Sequence, residues 1–387
     1  MPSLFRLAIA SVASLFSYDI LPHYTQYESP GLAQHCANVP PISQAEFEGR
    51  QNSLATTLLQ LGASAYITES GVNSQYFANF SLSDWKLSER PLLLIIAPVQ
   101  NESGALPEVT ILTPKFEHLR ATGLPVPPFR GTKVRYVDWA EDEDPYQVAI
   151  QAIGRQSDSR NETIFVDSGI RKFIVDGLQQ AAPGIRIASA PPEITSFRER
   201  KSKHELEIMK CANEATVLAI RMVHKNVRFG MRESQVRGML ASALSEVGLK
   251  NGGCLTLFGA NIPLEHRQLW DIVRDVQEAA LQAAKAGNLT RHPDEVARHE
   301  FRLRNLDQYF THRLGHGIGI DGHERPYLRG RSNDVIRTGH TFSNEPGVYI
   351  EGKVGIRLED CFYIDESGLP VYFTAGVGGP PDSPWST

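Results

Sequence analysis

The segment from residue 311 to 323, THRLGHGIGIDGH, restricts this chain more than any other. Glycines at 315, 317, 319 and 322 run between His312, His316 and His323, and glycine at that density destabilises a helix. His312 and His316, although four residues apart, therefore cannot form the helical zinc pair of an HExxH motif. His204-Glu205 does not form one either, because Ile208 occupies the second histidine position. Glycine instead lets backbone and side chains crowd around a small site. Histidine is the commonest metal ligand and a frequent acid or base.

Two later segments, 341–350 (TFSNEPGVYI) and 355–364 (GIRLEDCFYI), read as strands joined by a short turn containing Gly352. Closed as an antiparallel hairpin, they bring Glu345 near Asp360 or, with one residue of slip, near Glu359. Strand alternation puts Arg357 and Glu359 on one face, away from Leu358 and Asp360. The two carboxylates then converge on a point within reach of His316. Each residue alone has an ordinary structural reading, such as Arg357 pairing with Glu359. Buried carboxylates are costly unless paired or metal-bound, so the joint pattern points to a divalent cation.

The rest of the chain supplies a scaffold. A helix over 43–61 stops at Gly62, and apolar runs at 63–68, 91–98 and 109–114 read as strands, the second buried on both faces. A strand over 163–167, a helix over 170–181 and a strand over 185–188 complete an α/β series. The acidic loop Glu141 to Asp144 reads as a solvated loop rather than a cation site. From residue 201 the pattern is helical: 201–226, with Leu206, Met209, Ala212, Ala215, Leu218, Ala219 and Met222 as a core stripe, then 234–247. A third helix opens with Pro263 as its first residue and runs to Ala286, and 294–305 suits a fourth. Three divisions result: 1–42, a leader and connector; 43–190, an α/β domain; and 191–387, an α+β domain.

A net charge of −5 leaves no basic stripe for nucleic acid. Four separated cysteines, Cys36, Cys211, Cys254 and Cys361, have no C-x-x-C spacing, and their pairing is not legible. Residues 4–16 (LFRLAIASVASLF) are apolar but fall short of the roughly 20 needed to span a membrane. With Arg6 as positive flank they suit a signal peptide or a membrane anchor. Sequons at Asn79, Asn101, Asn161 and Asn288 add to an expectation of the secretory route, secreted or anchored, with a cytoplasmic protein as the alternative.

HRLGHGIGIDGHE, NEPGVYI and GIRLED, in that order, resemble the signature blocks of the pita-bread metallopeptidases: Xaa-Pro aminopeptidases, prolidases and the related creatinases. Residues 198–208 (RERKSKHELEI) are similar to the first helix of that domain, and 43–190 to the creatinase-type N-terminal domain. The resemblance implies metal ligands at His316, Glu345 and Glu359, the last bridging two metals, with manganese as the expected ion. It places His312 and His323 in the substrate site, with His323 stabilising the intermediate. It makes Glu345 the general base and Arg357 the residue that orients Glu359. The implied substrates are short peptides cut before proline, by an aminopeptidase or a dipeptidase, and the implied assembly is a homodimer.

The same resemblance calls for two further ligands, aspartates on adjacent strands between a segment like 256–261 (TLFGAN) and a helix like 265–275. Only residues 262–264 stand there, so an internal segment near 261–263 is missing along with an upstream substrate-site histidine. Asp271 and Asp275 share a helix face but read as a solvated pair, and His266 is no better a substitute. Three readings follow: an exopeptidase by descent, a non-catalytic binding protein of the same fold, and an incomplete translation of an active gene. The last explains a clean gap between intact blocks and predicts little or no activity, with one ion or none in this chain where the resemblance implies two.

Overall fold

The computed structural model describes residues 32, 34–101, 104–154, 162–249, 263–384 and 386. The described residues form two compact units, one within 42–198 and one made of those before 42 with those from 199 on. Residues 191–198 thus belong with the first unit, and the described residues before 42 with the second. The leader at 4–16 and the segment 256–261 lie outside the described residues, as does Asn161.

In the first unit, α1 (Gln44–Gln60) starts where the Ser43 side chain accepts the Glu46 N–H, and ends before Gly62 at φ +63°. Next come β1 (Ala63–Thr68), α2 (Val72–Ala78), β2 (Leu93–Asn101), β3 (Gly104–Pro114), α3 (His118–Thr122) and β4 (Arg135–Trp139). The unit closes with α4 (Pro145–Ile153), β5 (Thr163–Val166), α5 (Lys172–Ala181), β6 (Arg186–Ser189) and α6 (Pro192–Thr195). The sheet order is β4-β3-β2-β1-β5-β6, with β2 antiparallel to both neighbours and the remaining pairs parallel. A central position for β2 explains its continuous apolar run, buried from Leu93 to Ala97. The acidic loop has structural work: Glu141 pairs with Arg90, Glu143 accepts the Ala140 N–H, and Asp144 caps α4 through the Tyr146 N–H.

The second unit opens with α7 (Lys203–Asn226) and α8 (Glu233–Glu246). A Ser202–Glu205 capping box starts α7. Its buried stripe is Cys211, Ala215, Ala219 and Val223, rotated from the expected one. Leu206, Met209, Ala212, Leu218 and Met222 are half-buried, because α7 turns its i, i+4 row of smaller residues to α8 and Leu32. Cys36 and Cys211 form a disulfide, and His35 Nε2 lies 2.9 Å from Glu214, so the described residues before 42 are fastened to α7. Then follow α9 (Leu264–Ala283) and α10 (Arg291–Arg302). Pro263 is the cap before α9 rather than its first residue, and the helix ends at Ala283, three residues short of expectation.

The strands are β7 (Gly315–Gly317), β8 (Glu324–Leu328), β9 (Thr341–Asn344), β10 (Gly347–Ile350), β11 (Val354–Arg357), β12 (Asp360–Ile364) and β13 (Pro370–Tyr372). They make a five-stranded sheet, β13-β12-β9-β7-β8, and a separate β10–β11 ribbon. Trp270, Val273, Val276 and Ala280 of α9 join Phe301, Phe342, Val348, Ile356 and Phe362 in one core. Asp271 and Asp275 face away from it and are exposed, as a solvated pair should be, and His266 is half-buried. Among the described residues no helix is long and apolar enough to cross a membrane.

Candidate metal centre

The two strands expected at 341–350 and 355–364 are each broken in the middle. Pro346 has no N–H to extend the ladder, so β9 stops at Asn344 and β10 starts at Gly347. The partner strand breaks opposite, at Leu358 and Glu359, and the Leu358 N–H reaches the Pro346 carbonyl at 3.3 Å. Register is kept across the corner: Gly347 faces Arg357 and Asn344 faces Asp360. Glu345 is therefore opposite Glu359, the slipped alternative of the two considered, and both carboxylates sit at the bend. Asp360 turns to α9, where its Oδ2 accepts the Gln277 amide at 3.0 Å, and burial pushes its pKa up to about 7.

His316 comes from β7, a strand squeezed between β8 and β9. A Cβ on Gly315 would collide with the Ser343 carbonyl, and one on Gly317 would lie 2.6 Å from the Arg325 carbonyl. Sheet crowding, rather than a turn, thus explains the glycines flanking His316. The Gly317 carbonyl can only accept, so the 2.9 Å contact puts the His316 proton on Nδ1 and leaves Nε2 as a lone-pair donor. That Nε2 lies 3.3 Å from Glu345 Oε1.

One donor atom from each of His316, Glu345 and Glu359 lies within 4.8 Å of the others, the one such cluster among the described residues. Ser343, fully buried, donates its hydroxyl to Glu345 Oε1 at 3.2 Å and accepts the His316 N–H at 3.1 Å. Arg357 stands between the carboxylates, 3.8 Å from Glu345 and 4.0 Å from Glu359. Burial pushes Glu345 up, but its contacts with His316 and the Arg357 guanidinium outweigh it, so its pKa falls. Glu359 goes the other way, raised by burial and then by Glu345, against Arg357 and His316. Two carboxylates pushed apart in this way, with a free imidazole nitrogen beside them, suit a divalent cation.

His323 packs its ring 4.1 Å from that of His316 and is exposed. Burial, then His316 and Arg313, lowers its pKa. His312 points elsewhere: its Nδ1 donates to the Arg313 carbonyl at 2.7 Å, and its Nε2 accepts the Tyr349 hydroxyl at 2.9 Å. The structure therefore gathers His316, His323, Glu345, Arg357 and Glu359 directly and joins His312 through Tyr349. Sequence reasoning missed Tyr349 and Ser343. Both lie in the quoted strands, Tyr349 four residues after Glu345 and Ser343 two before it, so side-chain alternation could have found Ser343.

The bent sheet and the helices packed on it make up a pita-bread fold, which the α/β unit precedes in the chain. A prolidase structure from Thermococcus sibiricus superposes with a TM-score of 0.67 at 19% identity, covering 89% of this chain and 99% of that one. Residues 253–366 match metallopeptidase family M24, and the chain carries a domain of that family. An uncharacterized peptidase of Schizosaccharomyces pombe is 29% identical over 430 residues, covering 96% of this chain and 91% of that protein. An Xaa-Pro dipeptidase of Lactobacillus helveticus is 39% identical over 108 residues, which is 28% of this chain and 29% of the dipeptidase.

Proposed function

We propose that this chain descends from metal-dependent exopeptidases that cut before proline in short peptides, and that it keeps a one-ion centre with little or no turnover. The observation that carries this reading is the clustering of His316 Nε2 with the Glu345 and Glu359 carboxylates. The three donors fit one divalent ion, with manganese proposed on oxygen-rich ligation. A second ion would have Glu359 to share, and no further carboxylate among the described residues joins the cluster. The alignment to the S. pombe peptidase runs over more residues than the 387 of this chain, so it opens gaps here, which supports a missing internal segment.

A bound divalent ion would polarise the carbonyl of the scissile amide. The protein's own groups prepare for that. Glu345, with its lowered pKa, stays ionised at neutral pH and can hold the ion or accept a proton. His323, lowered and exposed beside His316, is neutral and open to a peptide. Arg357 keeps the two carboxylates from being an isolated like-charged pair. Retention of this whole set speaks against a purely non-catalytic binding role, which needs none of it. The Cys36–Cys211 disulfide supports a secretory location.

Xaa-Pro dipeptides and Xaa-Pro-Xaa tripeptides, incubated with the full chain and Mn²⁺, test the reading. We expect at most a trace of cleavage before proline, abolished by His316→Ala. Brisk turnover would refute the one-ion account, and cleavage unaffected by His316→Ala would refute the site.

A further inference from the structure

Behind the candidate centre, α10 presents an ion pair with a buried carboxylate to the segment that leads into His316. Asp294 is fully buried, and Arg298, one turn on, approaches it with Nε at 2.9 Å and Nη2 at 3.3 Å. The same guanidinium donates through Nη1 to the Phe310 carbonyl at 3.1 Å and through Nη2 to the His312 carbonyl at 2.7 Å, and lies over the Phe310 ring. Asp294 Oδ1 accepts the Leu314 N–H at 2.9 Å. The Leu314 carbonyl in turn accepts the Glu345 N–H at 2.9 Å. A continuous path of hydrogen bonds thus runs from α10 through residues 310–314 to the backbone of Glu345.

We propose that Asp294 and Arg298 are positioning residues for the metal centre: together they fix the course of residues 310–314, and with it the places of His312 and Glu345. The proposal rests on the one-ion reading for its link to metal binding. A planar fork with several donors is needed to grip one carboxylate and two carbonyls at once, and lysine cannot supply it. The arrangement is not mere helix stabilisation. An i, i+4 pair serving only its helix would sit on the surface, whereas this carboxylate is sealed and spends an oxygen on a distant N–H. Removing Arg298 would leave the buried Asp294 carboxylate uncompensated, so conservative changes are the informative ones.

Arg298→Lys and Asp294→Asn, made in the full chain, are compared with the unaltered protein by thermal melting, amide hydrogen exchange and Co²⁺ titration. We expect both variants to stay folded, with exchange at the Leu314 and Glu345 amides about tenfold faster while α9 is unchanged. We expect Co²⁺ affinity about tenfold weaker or worse, with an altered visible Co²⁺ spectrum. Unchanged exchange at those two amides in a folded variant overturns the proposal, as does faster exchange with unaltered Co²⁺ affinity and spectrum. An unaltered protein that binds no Co²⁺ refutes the metal reading instead, and the exchange arm still decides whether the pair positions Glu345. Should one variant fail to fold, the other decides.

Discussion

Replacing His340 by Asn should flatten the acid sensitivity of the second unit. His340 is 2% exposed, and its Nδ1 accepts the Arg337 N–H at 3.3 Å. Burial first, then the charges of Lys201, Arg200 and Arg337, lowers its pKa from 6.5 to about 4. The unfolded chain takes up a proton near pH 6.5 that the folded protein refuses until near pH 4. Stability from this group is therefore complete above pH 6.5 and falls as pH drops through that window. At about 1.4 kcal/mol per pH unit, the shift amounts to roughly 3 kcal/mol across the window. Asn places an amide oxygen close to the Nδ1 position, so the Arg337 bond survives while the titration is removed. Urea unfolding, read from amide exchange over α9 at several pH values between about 7.5 and 4.5, gives the comparison. Groups common to both proteins cancel. The unaltered chain should lose roughly 2 to 3 kcal/mol more than the variant on acidification. Parallel stability curves for the two proteins would refute the reasoning.

Other outcomes follow from the same structure. The Cys36–Cys211 bridge spans a sequence separation of 175 residues, for which the chain-entropy estimate is roughly 5 kcal/mol. Cys36→Ser with Cys211→Ser should lower the calorimetric transition of the second unit, and an unmoved transition would show the bridge to be dispensable. Glu359→Gln should raise the melting temperature in chelator, because a carboxylate with a raised pKa destabilises the fold once ionised at neutral pH. The same change should abolish metal binding. A lower melting temperature in chelator would contradict the assigned cost of burying Glu359 beside Glu345.

What the sequence revealed depended on which signals were local. Helix limits followed their caps, as at Ser43 and Ser202, because capping is decided within a few residues. β4 and α4 went unread because a five-residue strand with charged residues at Arg135 and Asp138 carries little alternation, and Asp144 looked like one more acid in an acidic loop. Glu345 and Glu359 were legible from spacing, but choosing Glu359 over Asp360 needed the bend at Pro346, where the two broken strands keep one register. The stripe on α7 was misplaced since its partners are α8 together with Leu32 and Cys36, whose places periodicity cannot reveal. Asp294 and Arg298 were invisible for a similar reason. Their partners, Phe310, His312 and Leu314, are neighbours only once α10 packs on the sheet.

The central claim is that this chain holds one divalent ion at His316, Glu345 and Glu359. Metal content of the full chain, equilibrated with Mn²⁺ and counted by mass spectrometry, tests it most directly. The account predicts one ion per chain, lost on His316→Ala. Two ions per chain, or none, would contradict it.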